Sequence, residues 1–123
     1  MIKEAYCSFE VSKLLKEKGF DWECIGYYVD DEPNDIKYSF LGETNSTWES
    51  RCCAAPTHQM AMRWLREIYG IDIVIEISDP SVNDRKYYCV IWDKNNDSYI
   101  LDLFNSYEDA VEAALKYCLE NLI

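Results

Sequence analysis

The chain has 123 residues and a formal charge of −11, from 23 acidic and 12 basic side chains. A length of this order is typical of one domain, so we expect a single domain over residues 1–123. Binding to phosphate backbones or to acidic lipid requires basic surface, which this composition lacks. Direct contact with nucleic acid or with a membrane surface is therefore not expected.

The sequence opens without the basic and then apolar pattern of a secretory signal. No apolar run approaches the roughly 18 residues that a membrane-spanning helix needs. We therefore expect a cytoplasmic protein. In that reducing compartment cysteines are usually free thiols, which is the state expected for all six, at positions 7, 24, 52, 53, 89 and 118.

The first third of the chain predicts a helix and a hairpin. Residues 8–18 have helical spacing, and the hydroxyl of Ser8 can accept a free amide hydrogen of the first turn as the N-cap. Two strands are then expected over residues 24–29 and 36–41. The segment between them, 30–35, consists of residues that favour turns and is rich in carboxylates.

Residues 42–55 are expected to form the longest irregular stretch of the chain. Polar residues surround Trp48 there, and two adjacent cysteines follow. Long loops in compact domains often carry function. A possible interaction patch is therefore expected at the four residues Trp48, Cys52, Cys53 and His58.

The second predicted helix begins near Thr57 and ends at Gly70. Apolar side chains recur along it at the spacing of one helix face, which indicates that this face is buried. The stripe consists of Ala61, Trp64, Leu65 and Ile68.

Beyond this helix the apolar period changes to two, which predicts a strand over residues 71–78. A turn is expected at 79–84. Residues 86–92 are apolar at successive positions, so this strand should be central and covered at least partly on both faces. Residues 98–104 should pair back antiparallel, after a polar turn at 93–97.

The last predicted helix starts at Ser106, whose hydroxyl can cap it, with Asp109 in the reciprocal position of a capping box. The elements then follow the order α-β-β-α-β-β-β-α. This order predicts the α+β class, with an antiparallel sheet of about three to five strands and three helices on one or both of its faces.

The sharpest catalytic pattern consists of His58, the single histidine, and the two cysteines before it. A thiol near a helix N-terminus has a lowered pKa, and a histidine could act as its base. Such a nucleophile also needs an orienting group and an oxyanion site, and the sequence indicates neither. The cysteines also lack the paired spacing of zinc ligands. No enzyme activity, metal or cofactor is therefore expected.

Three segments resemble small, uncharacterised phage-borne and prophage-borne proteins of the phage α/β/α-sandwich type. They are a helix ending in Gly-Phe at 9–20, a Pro-Thr-capped helix with a Trp-Leu pair at 55–67, and the terminal helix at 107–116. All three are packing and capping patterns. The resemblance therefore implies an architecture and an origin in a mobile element, and it implies no catalytic residues.

The leading hypothesis is a non-enzymatic accessory or protein-interaction module that binds an unidentified protein partner in the cytoplasm. The alternative is an acidic mimic of nucleic acid that inhibits a host DNA-binding protein. Its carboxylates, in segments 30–35, 76–84 and 93–97, would then line one edge of the sheet. A cysteine-dependent enzyme is the least favoured alternative. The sequence leaves the oligomeric state open.

Overall fold

The computed structural model describes residues 5–78 and 85–123. Its backbone forms two compact units, Met1–Ala61 (unit 1) and Met62–Ile123 (unit 2). The described residues form three helices and two three-stranded antiparallel sheets, which confirms the α+β class. The turn expected at 79–84 lies outside them. No helix in this part of the chain combines the length and the apolar character that crossing a bilayer requires.

Unit 1 contains one helix, three strands and the start of a second helix. In chain order these are α1 (Phe9–Glu17), β1 (Cys24–Val29), β2 (Lys37–Glu43), β3 (Cys52–Ala54) and α2 (His58–Tyr69), whose residues from Met62 onward belong to unit 2. The sheet order is β2-β1-β3, with both pairings antiparallel.

Strand β3 corrects the expectation that residues 42–55 are irregular throughout. Cys52 pairs with Val29, and Cys53 pairs with Tyr28. Three residues are too few to display the alternating pattern of a strand, and all three are buried. From the sequence alone they therefore could not be distinguished from a buried part of a loop. With β3 included, the described residues contain six strands, and these form two sheets rather than the single sheet expected.

Both ends of α1 follow its sequence. The Ser8 hydroxyl accepts the Val11 amide at 3.2 Å, which confirms the predicted N-cap. Gly19, just past the helix, has φ of +91°, a conformation that costs glycine little. The Phe20 amide then donates to the Leu15 carbonyl at 2.9 Å, and both side chains are buried.

Residues 5–7 pair antiparallel with residues 56–58, at the start of α2. A β-bridge joins Tyr6 to Thr57. Two backbone hydrogen bonds of 2.9 Å flank it, from the Cys7 amide to the Pro56 carbonyl and from the His58 amide to the Ala5 carbonyl. The N-terminal segment is thereby fixed to the middle of the chain.

Helix α2 is buried along most of the predicted stripe. Ala61, Trp64 and Leu65 are buried, whereas Ile68 is 55% exposed, so the prediction is wrong at that position. Successive residues turn by about 100°, and the buried face is centred on Ala61, Met62 and Leu65. By this turn Ile68 projects between the buried Trp64 and Ala61, so it shares their face and is exposed in the last turn of the helix.

In unit 2 the rest of α2 is followed by a meander of three strands and a helix. The elements are β4 (Asp72–Ile77), β5 (Tyr87–Trp92), β6 (Ser98–Phe104) and α3 (Tyr107–Asn121). Strand β5 is central, as predicted. The Ser106 hydroxyl caps α3 by accepting the Asp109 amide at 3.0 Å.

Helix α3 contacts the three strands of unit 2, and Cys89 and Ile91 of β5 are fully buried. Residues of the opposite face, Val74, Trp92 and Ile100, remain exposed. One face of β5 is therefore fully covered, whereas Val90 on the other face is half-buried. This agrees with the expectation that the strand is covered at least partly on both faces.

Candidate functional site

Strand β2 presents apolar side chains to solvent. Phe40 is fully exposed. Leu41 is 78% exposed, Tyr38 57% and Ile25, on the neighbouring strand β1, 49%. These four residues are named the apolar edge. Soluble proteins rarely expose contiguous apolar side chains of this size, and such patches usually mark a surface that binds another molecule.

The exposure of Phe40 and Leu41 results from an irregularity in the pairing of β1 with β2. Gly26 pairs with Tyr38, whereas Cys24 pairs with Glu43. Ile25 alone therefore stands opposite residues 39–42 of β2. The extra residues cannot remain in the ladder, so the strand bulges and its side chains are directed away from the sheet.

One side of β2 is also a free edge. The strand is the outermost of its sheet in the described residues, so its backbone has one unpaired side. Edge strands are often protected by a lysine charge. Here Lys37 is engaged by Glu32 and by Asp35, and hydrogen bonds to these two carboxylates raise its pKa. Beyond Lys37, the strand offers apolar side chains and unpaired backbone.

A groove of about 340 Å³ adjoins the apolar edge at Ile25. Most of its wall is apolar, and Glu23 is the only charged residue among those that line it. The lining comes chiefly from Tyr6, Glu23, Ile25, Ala55, Pro56 and Met60. This cavity is named the groove.

The thiol of Cys24 also lines the groove and is uncharged. It donates to the Trp22 carbonyl at 3.6 Å and lies 3.7 Å from the Met60 sulfur. Burial, with a further contribution from the charge of Glu23, raises the pKa of Cys24 to about 12. Among the described residues that line the groove, Cys24 therefore adds no charge to that of Glu23.

Tyr6 joins the groove to the apolar edge. Its ring packs edge-on against Tyr38, with centroids 5.6 Å apart. The ring also approaches Gly26 so closely that a Cβ at this position would lie 3.3 Å from it and 3.0 Å from the Ala55 carbonyl oxygen. Glycine is a weak residue for a strand by propensity, but at position 26 the lack of a side chain permits this close approach.

The four residues predicted as an interaction patch do not form an exposed surface. Cys52 and Cys53 are buried in β3, and His58 is buried in the first turn of α2. Trp48 is half-buried, and its ring packs on Tyr27 with centroids 5.2 Å apart. Among the described residues, the two most exposed large apolar side chains, Phe40 and Leu41, lie on β2 instead.

The environment of the double cysteine is opposite to that of an activated thiol. Burial is the main cause that raises the pKa of Cys53 to about 11, and it also raises the pKa of Cys52. Catalytic thiols need the reverse shift. A ring nitrogen of His58 lies within 4.8 Å of the Cys7 sulfur. The two residues are far apart in the sequence, and the pairing of residues 5–7 with 56–58 brings them together.

The acidic segments belong to both units, and the two in unit 2 lie at opposite ends of its sheet. Segment 30–35 joins β1 to β2 in unit 1. In unit 2, Glu76 lies near the end of β4 that leads to β5, whereas 93–97 joins β5 to β6 at the other end of the meander. Residues 79–84 lie outside the described part of the chain. The arrangement required of a nucleic-acid mimic has no support within unit 2.

Comparisons with protein-family models, with curated proteins and with solved structures found no match. The site is therefore interpreted from its geometry and charge. The mobile-element origin implied by the resemblance stays a prediction.

Proposed function

We propose that this chain is a non-enzymatic protein-interaction module that binds its partner through the apolar edge. The observation behind the proposal is the full exposure of Phe40, next to Leu41, on a strand with a free side. Partner proteins commonly use such a strand as a template for a further strand. Alternate side chains of the added strand would then meet Tyr38 and Phe40.

The apolar edge has enough surface to matter energetically. Burying an exposed Phe or Leu side chain contributes roughly 1.5–3 kcal/mol each. A few such residues usually provide most of the binding energy of an interface. The affinity for the partner should therefore depend strongly on Phe40 and Leu41 and weakly on the polar surface around them.

The proposed place of action is the cytoplasm. All six cysteines are free thiols, and each is buried. Unpaired cysteines at this frequency are usual in reducing compartments and unusual in secreted proteins.

Site-specific photo-cross-linking in the source cell tests the proposal. A photoreactive phenylalanine analogue at position 40 should cross-link one protein in stoichiometric yield. The same analogue at position 100 is the matched control, because Ile100 is also an exposed apolar residue on an edge strand. Replacing Leu41 with Ser in the position-40 protein should abolish the adduct. Equal cross-linking at both positions, or none at position 40, would refute the proposal.

A further inference from the structure

We propose that the groove binds an arginine side chain within an extended, basic segment of the partner. This inference rests on the function proposed above, because the groove continues the apolar edge at Ile25. It adds the chemistry of the partner, which exposure of the apolar edge does not specify.

The shape and wall of the groove suit one long side chain. A volume of about 340 Å³ is at the small end of the range for ligand sites, which runs from roughly 300 to 1,000 Å³. Ile25, Pro56 and Met60 provide apolar contact. The aliphatic part of an arginine can lie along such a wall while its charged end remains near solvent.

The charge of the groove selects a cation. Among the described residues that line the groove, Glu23 is the only charged one, and its side chain is exposed. Within the described residues Glu23 has no ion-pair partner, whereas Lys37 is already engaged by Glu32 and Asp35. The Glu23 carboxylate is thus available to a ligand. A guanidinium suits it better than an ammonium, because its planar fork can donate two parallel hydrogen bonds to one carboxylate.

The net charge of −11 favours the same ligand. Opposite charge accelerates association and excludes acidic partners. It also makes a second copy of this chain a poor occupant, because two copies repel each other.

The probe is a blocked pentapeptide with arginine at its centre and valine at the other four positions. Titration into the labelled protein, followed by amide NMR, should give saturable shifts at Glu23, Cys24 and Ile25. A peptide with citrulline, the neutral isostere, should bind roughly tenfold more weakly, the loss expected for a charged hydrogen bond. Glu23→Gln should weaken the arginine peptide by the same factor and leave the citrulline peptide unchanged.

Glu17→Gln is the matched control, because Glu17 is an exposed carboxylate of the same unit outside the groove. It should leave both affinities unchanged. Equal binding of the two peptides, no effect of Glu23→Gln, or no saturable shift would each overturn the inference. Cross-linking at position 40 with failure of the peptide experiment would leave the proposed function standing. Peptide binding without any cross-linked partner would refute the proposed function alone.

Discussion

The side chain of Glu23 lies across the backbone of Gly42, so closely that a Cβ at position 42 would be 2.5 Å from its Cγ and 2.7 Å from its Cδ. Glu23 directly precedes β1, and Gly42 lies in the bulged part of β2. The absence of a side chain at position 42 therefore decides where the carboxylate rests, at the boundary between the groove and the apolar edge.

Gly42→Ala should move the Glu23 carboxylate without unfolding the protein. Gly42 is not among the residues with positive φ, and the obstructing atoms belong to an exposed, flexible side chain. We expect the free energy of unfolding to change by less than about 0.5 kcal/mol in urea denaturation. The arginine peptide should bind several-fold more weakly. Adding Glu23→Gln to this variant should cost nothing further, and undiminished peptide affinity of Gly42→Ala would contradict the assigned geometry.

Phe20 and Phe40 form a matched pair within unit 1, one buried and one fully exposed. Phe20→Ala should lower the free energy of unfolding by roughly 3–5 kcal/mol, because it leaves a cavity. Phe40→Ala should change it by less than about 0.5 kcal/mol while abolishing partner binding. Chemical denaturation of both variants measures the difference. Similar losses in the two would mean that β2 is covered.

These residues also indicate how much of the site the sequence could predict. The turn-favouring segment 30–35, with a strand expected on each side of it, located β1 and most of β2, and Ser8 and Ser106 were correctly predicted as helix caps. The bulge at 39–42 could not be predicted, because pairing register depends on the partner strand and not on local composition. Phe40 therefore resembled an ordinary core residue.

The predicted interaction patch and the apolar edge lie on different segments for a related reason. The prediction relied on the chemically distinctive residues Cys52, Cys53 and His58. In the structure these side chains are buried in the interior. The groove requires Tyr6 to meet Pro56 and Met60, positions far apart in the chain. Gly26, a residue unusual within a strand, is the one sequence signal that could have indicated a close approach here.

Trp64 and Trp92 provide a second matched pair. Trp64 is buried in α2, and its ring packs against Tyr69 with centroids 5.3 Å apart. Trp64→Ala should cost roughly 3–5 kcal/mol, a large share of the usual 5–15 kcal/mol of a domain. Trp92 is exposed at the end of β5, so Trp92→Ala should cost far less. Thermal denaturation checks both, and an unchanged melting temperature for Trp64→Ala would contradict its burial.

The buried thiols predict a loss of stability in alkali. Burial raises the pKa of Cys53 to about 11 and that of Cys118 to about 12, from an ordinary value of 9.0. As pH rises from 9 toward 12, the unfolded chain loses thiol protons that the folded chain keeps, so stability falls. Below pH 9 this contribution is fully present. Melting temperatures between pH 7 and 11, measured in reductant, should fall less steeply for Cys53→Ala than for the native chain. Parallel slopes would contradict the assignment.

The pairing of Tyr6 with Thr57 has a consequence for the order in which the molecule assembles. These residues are about fifty positions apart, and closing so long a loop costs chain entropy that neighbouring strands such as β4 and β5 largely avoid. Tyr6 and Thr57 both line the groove, so we expect the groove to be complete only once this long-range contact has formed. Hydrogen exchange at the Cys7 and His58 amides, whose bonds flank the bridge, would report its opening. We expect the arginine peptide to slow the exchange of both amides to the same extent. That result would mean that a bound partner keeps residues 5–7 paired with residues 56–58.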